Sequence, residues 1–263
     1  KRVHILSLIL IIIILTATIS LLVSYTQSCS IRKDPVYVGV AFCGNTTDQA
    51  KALIDRVKTY TNVFVLNCGI NPISDNLTAA REISDYAVNA GLYLIINLGT
   101  WTQQEWPGKV QFLSESRFRY GDKFLSVYYD DEPGGIELDY NWTRYFQETN
   151  LNNKNLDWKS SIYTRIIYEK LQNAIRSGIS PDNYTLEADW FNHMLTRNRG
   201  VISLKQYNLS YLTSDYALYW FDYIGGYRTI LAQIGWNSSV EQQITLVRGE
   251  ASLQFKDWGT IVT

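Results

Sequence analysis

The chain is poor in the residues that most metal and nucleophilic sites need. Its 263 residues include only two histidines and three cysteines. His4 sits in an apolar leader, so His193 is the one histidine in the body of the chain, which makes a His-based triad an unpromising reading. No CxxC or HExxH occurs, so neither a metal nor a cofactor is expected. The formal net charge is −1 and no basic stripe is present, which argues against nucleic acid as a partner. The first apolar strand is followed by GNTTDQ and not by a GxGxxG phosphate loop, which disfavours a doubly wound nucleotide-binding sheet.

What is present begins with an uncharged run of 19 residues, ILSLILIIIILTATISLLV, at 5–23. At ~1.5 Å per residue it spans ~28 Å, about the hydrocarbon core of a bilayer. Lys1 and Arg2 precede it, and the next charges are Arg32 and Lys33 beyond a polar spacer. Positive-inside logic places the N-terminus in the cytoplasm and the rest outside. The reading is a signal anchor over 1–25, a linker over 26–35, and a single-pass cell-membrane protein with an extracellular domain over 36–263. A long cleaved signal peptide and a lipid on Cys29 are the alternatives. The opening on Lys1 and the strand-like close at 259–263 lead us to expect a longer chain at both ends.

Six N-x-[ST] sequons, at Asn45, Asn76, Asn141, Asn183, Asn208 and Asn237, fit a glycosylated exterior. Cys43 and Cys68 each end an apolar strand. If those strands are parallel neighbours, a disulfide in an oxidising compartment is one reading and two buried thiols the other.

From 36 onward, apolar strands alternate with helical patterns at about thirty residues per unit, as in a parallel α/β sheet. Strands are expected at 36–43, 62–68, 92–98, 124–129, 209–217, 229–234 and 259–263. Capping boxes at Thr46–Gln49 and Ser238–Glu241 open two of the helices, and Asp75 or Ser74 caps another. The stretch 137–154 reads as a long polar loop walling a cleft, 157–177 as a helix, 184–207 as a helical insertion and 218–227 as an aromatic connector. Seven strand candidates predict an α/β fold: a (β/α)8 TIM-like barrel lacking its last β/α unit, preceded by the membrane helix. A doubly wound open sheet is the alternative.

One stretch concentrates chemistry. FLSVYYDDEPGG, at 124–135, runs from a strand into Asp130, Asp131 and Glu132, then a Pro-Gly-Gly turn. In barrels of alternating strands and helices, strand ends of this kind carry the active site. With the motifs YYDDEPGG at 128–135, TSDYALYWFDY at 213–223, RGE at 248–250 and KDWG at 256–259, the chain resembles the glycoside-hydrolase-like TIM barrels, particularly membrane-anchored extracellular versions encoded by archaea. That resemblance implies a carbohydrate partner, a general acid after strand four at Glu132 or Asp131, and a nucleophile after strand seven, at or past Thr263.

Glycoside hydrolysis needs two carboxyl groups flanking the bond. Three adjacent acids suit this, since mutual repulsion keeps one protonated nearer neutrality. Strand alternation would set Asp130 and Glu132 on one side and Asp131 on the other. Asp215 is the best second carboxylate, with a turn or helix-cap role as its alternative. Asp222 and Glu250 read as structural or solvated. Asp130, Asn67, Asn97, Trp101, Tyr129, Tyr216 and Trp220 are candidates for substrate contact, the aromatics by stacking on sugar rings. Packing, or capping of the barrel by the two asparagines, is the bland alternative. The other reading of the whole is a non-catalytic barrel that binds glycans or serves the cell envelope.

Overall fold

The structure, a computed structural model, describes residues 36–67, 72–99, 106–135, 199–235 and 239–263, with isolated positions at 15, 16, 18, 176–178, 192, 195 and 196. The chain divides into two compact units, Lys1–Tyr37 and Val38–Thr263. In the first, residues 15, 16 and 18 are helical and exposed. Among the described residues no helix is long and apolar enough to cross a membrane. Most of the 5–23 run, and the linker over 26–35, lie outside the described residues.

The second unit alternates strands and helices. In order these are β1 (Gly39–Phe42), α1 (Thr47–Val57), β2 (Val63–Asn67), α2 (Leu77–Asn89), β3 (Tyr93–Asn97), α3 (Trp106–Tyr120), β4 (Phe124–Tyr128), α4 (Arg199–Gln206), β5 (Tyr211–Asp215), α5 (Tyr219–Gly225), β6 (Thr229–Ile234), α6 (Val240–Gln254) and β7 (Asp257–Val262). The seven strands form one parallel sheet in sequential order. That order decides between the two folds expected. Crossovers are right-handed, so strands added always in one direction put every crossover helix on the same face. A doubly wound sheet reverses direction and covers both faces. The arrangement is therefore that of a TIM-like barrel through its seventh strand.

Alternation along the strands divides the core accordingly. Phe64, Leu66, Leu94, Ile96 and Val127 face the helices and join Ile54, Ile83 and Leu113 in one large cluster. Val63, Ile95, Tyr128 and Leu212 form a smaller cluster on the other, inward face. A register shift between Leu94 and Ile95 sets Phe124 against Leu94 but Ser126 against Ile95, one extra residue on β4. That bulge is what brings Tyr128 to the inward side.

The caps follow local chemistry, with small shifts from expectation. Thr46 Oγ1 accepts from the Gln49 amide as expected, while Gln49 Oε1 reaches back to the Asn45 amide, one residue earlier than a capping box requires. Asn76, not Asp75 or Ser74, caps α2 by accepting from the Ala79 amide at 3.0 Å. Ser239, one residue after the expected Ser238, caps α6. The connector over 218–227 contains the helix α5, because Tyr219 and Tyr223 bury one face at i, i+4 and Gly226 closes it at φ 113°. The described part of 184–207 is helical up to 206. The loop over 137–154 lies outside the described residues, as does the helix over 157–177 apart from its last two positions.

Among the described residues no disulfide is seen at Cys43. Cys43 carries a free, exposed thiol. β1 pairs with β2 through Phe42↔Leu66, so continuing the register sets position 43 beside 67. Cys68 lies outside the described residues. Three sequon asparagines, Asn45, Asn76 and Asn208, are exposed. Asn141, Asn183 and Asn237 lie outside the described residues.

Candidate functional site

The acids of the opening motif stand where β4 ends. β4 stops at Tyr128, so strand alternation does not extend to the acids. The chain continues alongside β5 through the Tyr129 amide to the Leu212 carbonyl and the Glu132 amide to the Ser214 carbonyl, both at 2.9 Å. Asp130 and Glu132 adopt left-handed backbone, at φ 60° and 53°. Each such residue costs of order 1 kcal/mol or more, and strain of this kind gathers at functional turns. It persists here because the turn is held from both sides. The Thr213 hydroxyl donates to the Asp130 carbonyl at 3.0 Å, and Asp130 Oδ1 accepts from the Asp131 amide at 3.1 Å.

Asp131 is exposed and its carboxylate is held by side chains from the inward face. Its Oδ1 accepts from the Tyr128 hydroxyl at 2.5 Å and the Ser214 hydroxyl at 2.9 Å. Gln233 Nε2, on β6, donates to Ser214 Oγ at 2.9 Å. Register explains the grouping: Tyr128 pairs with Leu212, two residues before Ser214, and Ser214 pairs with Leu231, two before Gln233. Each step keeps the same face of the sheet. Burial, then the neighbouring Asp131 charge, pushes the Tyr128 phenol well above its ordinary range, so it remains a donor. A chain of donors thus runs from β6 across β5 to one carboxylate at the strand ends. Glu132 is half-buried beside it.

Asp215 faces the other way. It is fully buried, and its carboxylate accepts four backbone N–H groups: Gly134 at 2.6 Å, Gly135 at 2.8 Å, Tyr216 at 2.7 Å and Ala217 at 3.1 Å. The Pro-Gly-Gly turn is thereby explained. A Cβ on Gly134 would lie 2.7 Å from the Ala217 carbonyl oxygen, and one on Gly135 would lie 2.3 Å from the Tyr216 ring. Only glycine lets the turn come this close to β5. Burial pushes Asp215 up to about 6, a rise that the Gly134 amide and the other donors restrain. The carboxylate expected as the second catalytic group is thus buried on the helix side of β5, opposite the Ser214 face, and its lone pairs are occupied.

Asp222, on α5, is also fully buried beside Asp215. Among the described residues, neither of its oxygens meets an N–H or hydroxyl donor. Its polar neighbour is the Asp215 carboxyl, and two carboxyls hydrogen-bond only when one holds a proton. Burial first, and the Asp215 charge second, push Asp222 well above the usual range, so Asp222 holds that proton.

The other candidates are spread out. Asn97 is half-buried at the end of β3 and its Oδ1 accepts from the Gly99 amide at 2.6 Å, a turn-capping contact. Asn67 pairs with it in register at the end of β2. Tyr129 is buried in the helix-side core, against Gly200 of α4. Tyr216 is half-buried over Gly135. Trp220 is exposed in the helical layer, on α5, and its carbonyl accepts from Gln254 at the end of α6. Trp101 lies outside the described residues. Ser214, Gln233 and the Asp215–Asp222 pairing were missed by sequence reasoning. A polar residue two positions after Leu212 and two after Leu231 was the available signal. Among the described residues no cluster of His, Cys, Asp and Glu is suited to a metal ion.

No protein-family model matches the chain, and no curated protein matches it in sequence. Among solved structures it is similar to a GH10 endoxylanase retrieved from a sugarcane soil metagenome, with TM-score 0.45 and 12% identity over 87% of this chain and 67% of that one. A β-glucosidase aligns with TM-score 0.35 and 10% identity over 73% of this chain and 57% of that one. A β-glycosidase aligns with TM-score 0.37 and 8% identity over 81% and 65% respectively. The chain thus spans 57% to 67% of the length of these structures.

Proposed function

We propose that the protein is a carbohydrate-active barrel, tethered to the cell membrane by its N-terminal run and facing the exterior, that cleaves a glycosidic bond with carboxyl groups at the strand ends. The observation that carries this reading is the acid turn after β4, with Asp131 fixed by Tyr128 and Ser214 and Glu132 half-buried beside it. Glu132 serves as general acid towards the leaving oxygen. Asp131, held in one place by two hydroxyls, orients the sugar or carries the second carboxyl role. The exposed Asn45, Asn76 and Asn208 suit glycosylation in that compartment.

A second reading is favoured by one observation. Asp215 is committed to backbone amides on the helix side, which leaves no other carboxylate of β5 at the mouth. In this reading the barrel binds glycans without cleaving them. Turnover of an oligosaccharide panel by the wild type and by Glu132→Gln separates the two. The first expects hydrolysis that falls at least a hundredfold in the variant. Hydrolysis unchanged by the substitution removes Glu132 from its role, and saturable binding without hydrolysis selects the second reading.

A further inference from the structure

We propose that Asp215 and Asp222 form a carboxyl pair sharing one proton, in which Asp215 clamps the Pro133–Gly134–Gly135 turn and so sets the position of the acids Asp130, Asp131 and Glu132. The inference rests on the functional reading above for its purpose, but its geometry stands alone. Asp215 Oδ1 takes three amides, from Gly135, Tyr216 and Ala217, and Oδ2 takes Gly134. Asp222 supplies a fifth donor, the proton of its own carboxyl. A carboxylate oxygen offers about two lone-pair sites, so Oδ1 is crowded by its three amides and Oδ2 keeps one site beyond Gly134 for the Asp222 proton. The roles are therefore unequal: Asp215 must accept, and Asp222 must donate.

Two of the five donors belong to the turn that directly follows Glu132. They tether it to β5 on the helix side, while Asp131 is tethered to Ser214 on the inward side. The turn is thus gripped through adjacent residues of one strand, and Asp215 is a positioning residue for the acids.

Among the described residues, the groups facing the pair are acidic or neutral. Asp130 faces it from the turn after β4, Tyr219 and Tyr223 from α5, Glu250 from α6, and Tyr227 from the segment before β6. Lys205 of α4 lies at the far end of α5, beside Gly226 and the Tyr211 hydroxyl. A second proton on the pair therefore removes acceptor capacity that no neighbouring group among the described residues replaces, and the turn loosens in acid.

The inequality of roles gives the test. Asn at 215 offers one acceptor oxygen and turns an NH2 towards amide donors, so Asp215→Asn breaks the clamp. Asn at 222 still donates, so Asp222→Asn keeps it, whereas Asp222→Leu, of similar size, does not. Hydrogen exchange of the full chain reads this at the Gly134 and Gly135 amides. Exchange is expected to quicken about tenfold or more in Asp215→Asn and in Asp222→Leu, and to stay within about twofold of wild type in Asp222→Asn. In the wild type, protection corrected for intrinsic rate falls as the pH drops from about 7 to about 5. Unchanged exchange in Asp215→Asn, equal damage by Asp222→Asn and Asp222→Leu, or pH-independent protection overturns the proposal. If Asp215→Asn does not fold, the two Asp222 variants decide it. None of these readouts needs a sugar, so failed turnover by the enzyme counts against the functional reading and leaves the clamp standing.

Discussion

Asp131 and Asp215 lie within one turn of each other in space, because both meet the segment between β4 and Gly135, yet their surroundings differ in every respect. Asp131 is exposed and receives two side-chain hydroxyls from the inward face. Asp215 is buried on the helix face and receives four backbone amides. The first arrangement leaves a carboxylate oriented and open to a ligand. The second spends a carboxylate on holding the chain. Ser214 and Asp215 are consecutive, so a single step along β5 separates display from support.

The largest break in this comparison comes from Asp215→Ala. It strands four amides in a buried site and is expected to lower stability by about 4 kcal/mol in urea unfolding. Titration tests the same residue without mutation. Its carboxyl ionises near 6 in the fold against an ordinary value of 3.8, so the folded chain binds this proton more tightly than the unfolded chain. Stability therefore rises as the pH falls from about 6 towards 4, by about 3 kcal/mol for this group. Asp222, raised by burial and by the Asp215 charge, adds to the same trend. Urea midpoints across this range check the sign, and Asp215→Asn removes that share of the slope. Global stability and clamping of the turn thus run in opposite directions with pH, which a single measurement of either misses.

Gly135→Ala attacks the support from the other side. The new methyl meets the Tyr216 ring at 2.3 Å, and the expected loss is about 2 kcal/mol with Asp215 itself untouched. The smallest effects on stability belong to the displayed carboxylate. Tyr128→Phe and Ser214→Ala each remove one hydrogen bond to Asp131 and are expected to cost about 1 kcal/mol in unfolding. Each is expected to lower oligosaccharide affinity or turnover more than Gln233→Ala, which acts through Ser214.

Much of the frame was legible in the sequence, since the alternation of apolar strands and capped helices is a local signal that tertiary contacts reinforce. The acid motif at the end of β4 was legible for the same reason. The roles of its members were not. Strand alternation fails after Tyr128, where Asp130 and Glu132 turn left-handed, and nothing local announces that turn apart from the glycines beyond it. Asp215 looked available because it ends a strand. That two of its four amides come from Gly134 and Gly135, some eighty positions earlier, depends on the β4–β5 pairing, a contact the sequence does not record. Tyr129 has the composition of a sugar-stacking residue, and its burial is decided by Gly200 of α4.

The claim at the centre of this account is that a carbohydrate meets the strand ends of β4, β5 and β6. Backbone amide shifts of the 15N-labelled protein, followed as oligosaccharides are added, test it most directly. The account predicts that shifts concentrate at 128–132, Ser214 and Gln233 and that Asp131→Asn weakens them. Saturable shifts confined to the α4–α6 helical layer, with 128–132 unmoved, would contradict it.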